Sequence, residues 1–106
     1  MNITINAKDF NLTPSIKLYI EDKLGKLTRF SRQLKRIGVE MNVDRGALHG
    51  KVNRVEVWAY LPKITLRAGV RAEHMREAID LVYPKIERQI VSLERKTREK
   101  KRGVRV

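Results

Sequence analysis

Between residues 37 and 72 the chain alternates apolar and polar side chains three times in succession, and that repetition sharply limits the folds open to it. Ile37, Val39, Met41 and Val43 are separated by Gly38, Glu40 and Asn42. Val55, Val57, Ala59 and Leu61 follow with Glu56, Trp58 and Tyr60 between them, then Leu66, Ala68, Val70 and Ala72 with Arg67, Gly69 and Arg71. A period of two places the apolar members of each stretch on one side of a strand. Only a glycine-bearing loop, RGALHGK (45–51), and a Pro62-Lys63 turn intervene. Connections this short predict an antiparallel meander with one apolar face. That face has to be covered.

Two helical stretches can cover it. Thr13-Pro14 marks a helix start, with Thr as N-cap and Pro at the first helical position, where its missing N–H has no bond to lose. Ile16, Ile20, Leu24 and Leu27 then share one face. Gly25 weakens this helix, which is expected to fray near Phe30 to Leu34. The second stretch, from Glu73, carries Met75, Ala78, Ile79, Val82, Ile86, Ile90 and Leu93 at helical spacing. Ahead of both, Met1, Ile3, Ile5 and Ala7 alternate with Asn2, Thr4 and Asn6 as a half-buried strand. A helical crossover between that strand and the meander predicts a parallel pairing with right-handed connection. The expected fold is a β-α-β-β-β-α, two-layer α+β sandwich: a four-stranded sheet covered on one face by two helices. It should occupy residues 1–102, with 103–106 as a flexible tail. The open face would carry Asn2, Thr4, Asn42, Arg54, Trp58, Tyr60 and Arg67.

A chain of 106 residues suffices for one domain with one core, and 42% hydrophobic residues is too many for disorder. No apolar run reaches the ~18 residues of a membrane span, and MNITINAKDF resembles neither a signal nor a transit peptide. The absence of cysteine excludes disulfides and thiolate chemistry, and fits a reducing cytoplasm.

Charge then narrows the partner. Lys and Arg number 24 against 12 Asp and Glu, a net charge of +12. Residues 85–106 hold nine basic and three acidic side chains, half the excess in a fifth of the chain. Such density points to a polyanion, because bound Lys and Arg release counterions condensed on phosphates. A solvated helix face that only aids solubility is the alternative. On a wheel of 100° per residue, Arg88, Arg95 and Arg102 form a line opposite the apolar stripe, and Lys85 and Lys96 flank that line. Pro84 also points outward, so the bond it deletes lies on the solvent side. Past Leu93 the apolar pattern stops while the basic one continues. On the first helix Lys23 and Lys26 flank the apolar stripe and Arg29 faces outward, the stem of Lys23 lying along the core. Together these cations make a basic ridge suited to phosphate backbones, which positions a partner without reading its sequence.

Enzymatic readings find no support. Gly46…Gly50-Lys51 falls one residue short of a phosphate loop, lacks the following Ser or Thr, and joins two strands. His49 and His74 have no partner at metal-ligand or catalytic spacing. Glu73 and Glu77 suit a helix N-terminus. No catalytic residue, metal, cofactor or small-molecule substrate is expected. Trp58 and Tyr60 stay open: on the uncovered sheet face they would stack bases, be half-covered by long neighbours, or meet a partner protein.

TPSIKLYIEDKLGKL (13–27), VEVWAYLPKITLRA (55–68) and EHMREAIDLVYPKIERQI (73–90) resemble, in order and spacing, the ribosome hibernation-promoting factors, also called ribosome-associated inhibitor A. The resemblance spans nearly the whole chain. It implies a fold like that of double-stranded-RNA-binding domains and a non-enzymatic, cytoplasmic protein, monomeric off the ribosome. Such a protein lodges in the small subunit against 16S ribosomal RNA, where mRNA and the A- and P-site tRNAs would lie, and silences and preserves idle ribosomes. Carried over, it assigns rRNA contacts to Lys23, Lys26 and Arg29, and to Lys85, Arg88, Arg95, Lys96, Arg98 and Lys100. Arg76 and Pro84 depart from the family pattern. Long members continue through a linker into a domain that pairs ribosomes, so this sequence corresponds to a short member or to the N-terminal part of a long one. A free-duplex RNA-binding module, and a protein-interaction module using Trp58 and Tyr60, are the competing readings.

Overall fold

A computed structural model describes residues 2–44 and 52–101; of Lys101 only the backbone is considered. The 45–51 loop, the arginine at 102 and the 103–106 tail therefore lie outside the described residues. The elements are β1 (Asn2–Lys8), α1 (Pro14–Gly25), a 3₁₀ turn (Lys26–Arg29), β2 (Arg36–Val43), β3 (Asn53–Tyr60), β4 (Thr65–Ala72) and α2 (Met75–Lys101). The expected β-α-β-β-β-α order is what forms.

The sheet has the order β1-β2-β3-β4. β1 runs parallel to β2, with Ile3 opposite Ile37 and Ile5 opposite Val39; the other two pairings are antiparallel. This register stacks Ile37, Val39 and Met41 beside Val55, Val57 and Ala59, and all six are buried. Against them lie Ile20, Leu24 and Leu27 from the first helical segment and Ile79, Val82, Ile86 and Ile90 from α2, all fully buried. Both helices thus cover one face.

Local chemistry sets the ends of these elements. Thr13 is extended and its Oγ1 accepts from the Ile16 N–H at 3.2 Å, with Pro14 following in the first turn. After Gly25 the helix tightens into the 3₁₀ turn, where Thr28 donates to the Gly25 carbonyl at 2.9 Å and the Phe30 N–H donates to Leu27 at 3.1 Å; helical structure then ends before 30–34, the stretch where fraying was expected. Leu61, expected to end a strand, instead enters the β3–β4 turn, its N–H donating to Ile64 at 3.0 Å. α2 begins at Met75, and the Glu77 carboxylate reaches back to accept from the Glu73 N–H at 3.3 Å. The helix continues through Pro84, whose ring is exposed. Its 27 residues span about 40 Å, whereas the eight residues of β4 span about 26 Å. The difference overhangs the sheet.

Candidate nucleic-acid interface

The two helices lie side by side and parallel, because their contacts ascend together. Arg76 donates to Ser15 Oγ at 2.7 Å, Tyr19 donates to Asp80, and Ser31 donates to Glu94. Both C-terminal ends therefore arrive at the same pole of the sheet, the one where β2 begins. There the cations of Lys26, Arg29, Arg98 and Lys100 complement the negative ends of the helices. At the opposite pole, around the ends of β1, β2 and β4, cations and acids are mixed: Lys8, Arg54 and Arg71 stand with Asp9 and Asp44, and Glu73 and Glu77 lie at the start of α2.

Most of the cations singled out in the sequence share one property. Lys26, Arg29, Lys85, Arg88, Arg95, Lys96, Arg98 and Lys100 are all exposed, and among the described residues none is ion-paired. Arg88 and Arg95 occupy the outer face of α2. Lys85 lies on the β4 flank, where Gln89 anchors the helix by donating to the Arg67 carbonyl at 2.7 Å. Arg98 lies on the α1 flank, in a cleft with Arg29.

Lys23 is placed differently. Its ammonium sits 3.0 Å from Asp80 Oδ1 and over the Tyr83 ring at 5.7 Å, across the seam between the helices. The hydrogen bond from Tyr19, with help from Lys23, holds the Asp80 carboxyl below its usual range. The same bonds to Asp80 push Lys23 and Tyr19 up. This charge is already engaged within the fold.

The arginines of the open sheet face are engaged too. Glu56, only 8% exposed, pairs with both Arg54 and Arg67, receiving Arg67 Nε at 2.8 Å. Asp44 holds Arg71 at 3.0 Å. Trp58 and Tyr60 do lie on this face, half-buried, and each has an arginine over its ring: Arg67 over Trp58 at 5.4 Å and Arg36 over Tyr60 at 4.3 Å. Tyr60 in turn lies against Gly38, where an added Cβ would meet the ring at 3.4 Å.

Four cations missed in the sequence complete the basic pole. Arg32, Lys35 and Arg36 lead into β2, and Lys63 sits in the β3–β4 turn; all four are exposed. The Lys35 N–H donates to the Tyr60 carbonyl at 2.9 Å, fixing that segment beside the end of β3. Charge density in SRQLKR was the available signal, but it has no periodicity to assign it a face. Among the described residues no group of three or more His, Asp or Glu is placed to hold a metal, and no helix is long and apolar enough to cross a membrane.

Fold and charge together define a small two-layer α+β domain whose helix layer and one pole present exposed cations, most of them not ion-paired among the described residues. The sequence pattern of the Sigma 54 modulation protein / S30EA ribosomal protein family matches residues 3–98, and the chain belongs to that family. A ribosome hibernation promotion factor of Bacillus subtilis (strain 168) is 36% identical over 90 residues, 85% of this chain and 47% of that protein. One from Staphylococcus aureus (strain COL) is 30% identical over 100 residues, 91% and 52% respectively. The chain thus spans about half the length of these curated relatives. The crystal structure of the Thermus thermophilus Protein Y N-terminal domain aligns with a TM-score of 0.75 at 26% identity, covering 88% of this chain and 99% of that one. A ribosomal subunit interface protein from Coxiella burnetii aligns equally well, TM-score 0.75, at 21% identity and coverages of 89% and 98%. That second likeness concerns the fold alone.

Proposed function

We propose that this chain is a non-enzymatic ribosome-binding hibernation factor that occupies the mRNA and A- and P-site tRNA channel of the small subunit. It grips 16S ribosomal RNA through the helix layer and silences and preserves idle ribosomes in the cytoplasm under stress or in stationary phase. The observation that carries this reading is the division of the cations. On the sheet face Arg54, Arg67 and Arg71 are ion-paired with Glu56 and Asp44, whereas among the described residues the exposed cations of the helix ridge other than Lys23 are not ion-paired and are left for an external polyanion. Unpaired exposed cations gain by displacing counterions from phosphates; internally paired ones have less to gain. Membership of the family supports the choice of ribosomal RNA, as do relatives that carry the name ribosome hibernation promotion factor.

The α1-β2-β3-β4-α2 portion has the element order of double-stranded-RNA-binding domains, and in this reading the likeness extends to the helix layer as the phosphate-facing side. A free-duplex module is less favoured, since Glu73, His74 and Glu77 stand at the start of α2 where such modules need cations. Trp58 and Tyr60 serve to hold Arg67 and Arg36. Off the ribosome the protein is a monomer.

Co-sedimentation with purified bacterial ribosomes at near-physiological salt tests the proposal. Binding to empty ribosomes that weakens when mRNA and initiator tRNA are bound first is the expected result. Binding indifferent to occupancy would place the site elsewhere, and no binding would overturn the reading.

A further inference from the structure

The basic pole is not a flat ridge. Between the connection leading into β2 and the C-terminal third of α2 lies an open cleft lined by Arg29, Phe30, Arg32, Val91, Glu94 and Arg98. Two segments far apart in sequence meet here, one carrying Arg29 and Arg32 and the other Arg98; none of the three arginines is ion-paired among the described residues, and the Arg29 guanidinium lies over the rim of the cleft at 5.8 Å from the Phe30 ring centre. The cleft is braced from below. Ser31, 6% exposed, donates to Glu94 and accepts from the Gln33 N–H at 3.2 Å, which fastens the connection to α2. Phe30 packs partly against the core and keeps part of its surface open, so its ring is fixed in place.

A row of cations suffices for phosphates; a recess with an aromatic ring, a valine and a carboxylate asks for more. A phosphate seated inside would face Glu94. A base placed inside would meet the Phe30 ring and Val91, with Glu94 as an acceptor for its amino protons, while its phosphates reached the arginines at the rim.

We propose that this cleft is a pocket for one unpaired nucleotide, taking the base against Phe30 and Val91 and the flanking phosphates on Arg29, Arg32 and Arg98. The inference rests on the RNA-binding reading above and adds that the RNA is single-stranded or locally opened at this point. In a continuous duplex every base is stacked, and none can enter without being splayed out.

The test compares a short single-stranded RNA with an abasic strand of the same length and charge, measuring binding of the full chain to each at fixed salt. Binding by phosphates alone makes the two equal, whereas the pocket makes the base-bearing strand tighter by about 5- to 100-fold, the range of one stacked base. Equal affinities, or no binding of either strand, overturn the proposal. Phe30→Leu should abolish the preference while leaving affinity for a blunt RNA duplex unchanged; an unchanged duplex affinity also shows that the variant has folded. Arg98→Gln, at an exposed position, should weaken both strands. A preference that survives Phe30→Leu and vanishes with Trp58→Leu would move the base to the sheet face and refute the cleft. Ribosome co-sedimentation is scored separately. Its failure alongside a base preference removes the ribosome and leaves the pocket; success with no preference does the reverse.

Discussion

Lys23 Nζ and Asp80 Oδ1 are 3.0 Å apart, linking α1 to α2 by a charge that is also hydrogen-bonded by Tyr19. Both partners remain partly exposed, 32% for the lysine side chain and 45% for the aspartate, so solvent screens the pair and its contribution is modest. The Tyr19 hydroxyl and the Arg76–Ser15 bond beside it make one polar seam between the helices.

The seam has a definite pH window. The depressed Asp80 carboxyl contributes stability that is fully present above its unfolded value near 3.8 and is lost as pH falls through its lower folded value. Lys23 and Tyr19 are raised, so their contributions are full below 10.5 and 10.0 and are lost as pH rises through their higher folded values. Asp80→Asn is therefore expected to lower stability by about 1 kcal/mol at neutral pH. Thermal melts of wild type and variant should converge at the acid end of a pH 2–7 series. A difference that persists there would assign the effect to packing.

Arg88→Gln and Arg95→Gln together should leave the melting temperature unchanged, since both side chains are exposed and neither is ion-paired among the described residues. Each should flatten the plot of log affinity against log salt by about one unit if it contacts a phosphate. Lys23→Gln serves as the comparison, and its slope should hardly change because Asp80 already neutralises that charge. Ribosome or RNA titrations at four salt concentrations decide the matter.

Truncation after Glu94 retains the last apolar contact, Leu93, and the bond to Ser31. The fold should survive with a change in melting temperature of only a few degrees, while RNA affinity drops by at least tenfold. Calorimetry of the truncated chain checks the first statement and titration the second. Loss of the cooperative transition would show that the overhang supports the domain.

Glu56→Gln has an opposite signature. Removing this buried charge leaves Arg54 and Arg67 without their shared partner, at an expected cost of about 1–3 kcal/mol. The same change frees two arginines, so non-specific affinity for RNA should rise and its salt dependence steepen. Denaturant titration and binding to a duplex of arbitrary sequence would show both movements. Unchanged RNA binding would mean that the sheet face never meets the polyanion.

What the sequence determined by itself is the architecture, together with the ridge of α2. Alternation in 37–43, 55–61 and 66–72 and the helical spacing from Met75 to Leu93 record which side of each element faces apolar surroundings. That is a local property, legible wherever a periodic element has one wet and one dry side. Thr13-Pro14 likewise states its role within one turn. Arg88 and Arg95 were found because a helix wheel assigns them a direction. Tertiary structure alone decided which cations stay unpaired. Lys23 looked equivalent to Lys26 until α2 brought Asp80 beside it, and Arg67 looked free until the β3–β4 register set it diagonally across from Glu56. Arg32 gained meaning only when Ser31 met Glu94, 63 positions away, and closed one side of a cleft. The reason is physical: periodicity reports the average surroundings of a face, whereas a charge is used or left available according to the one group that stands within a few ångströms of it.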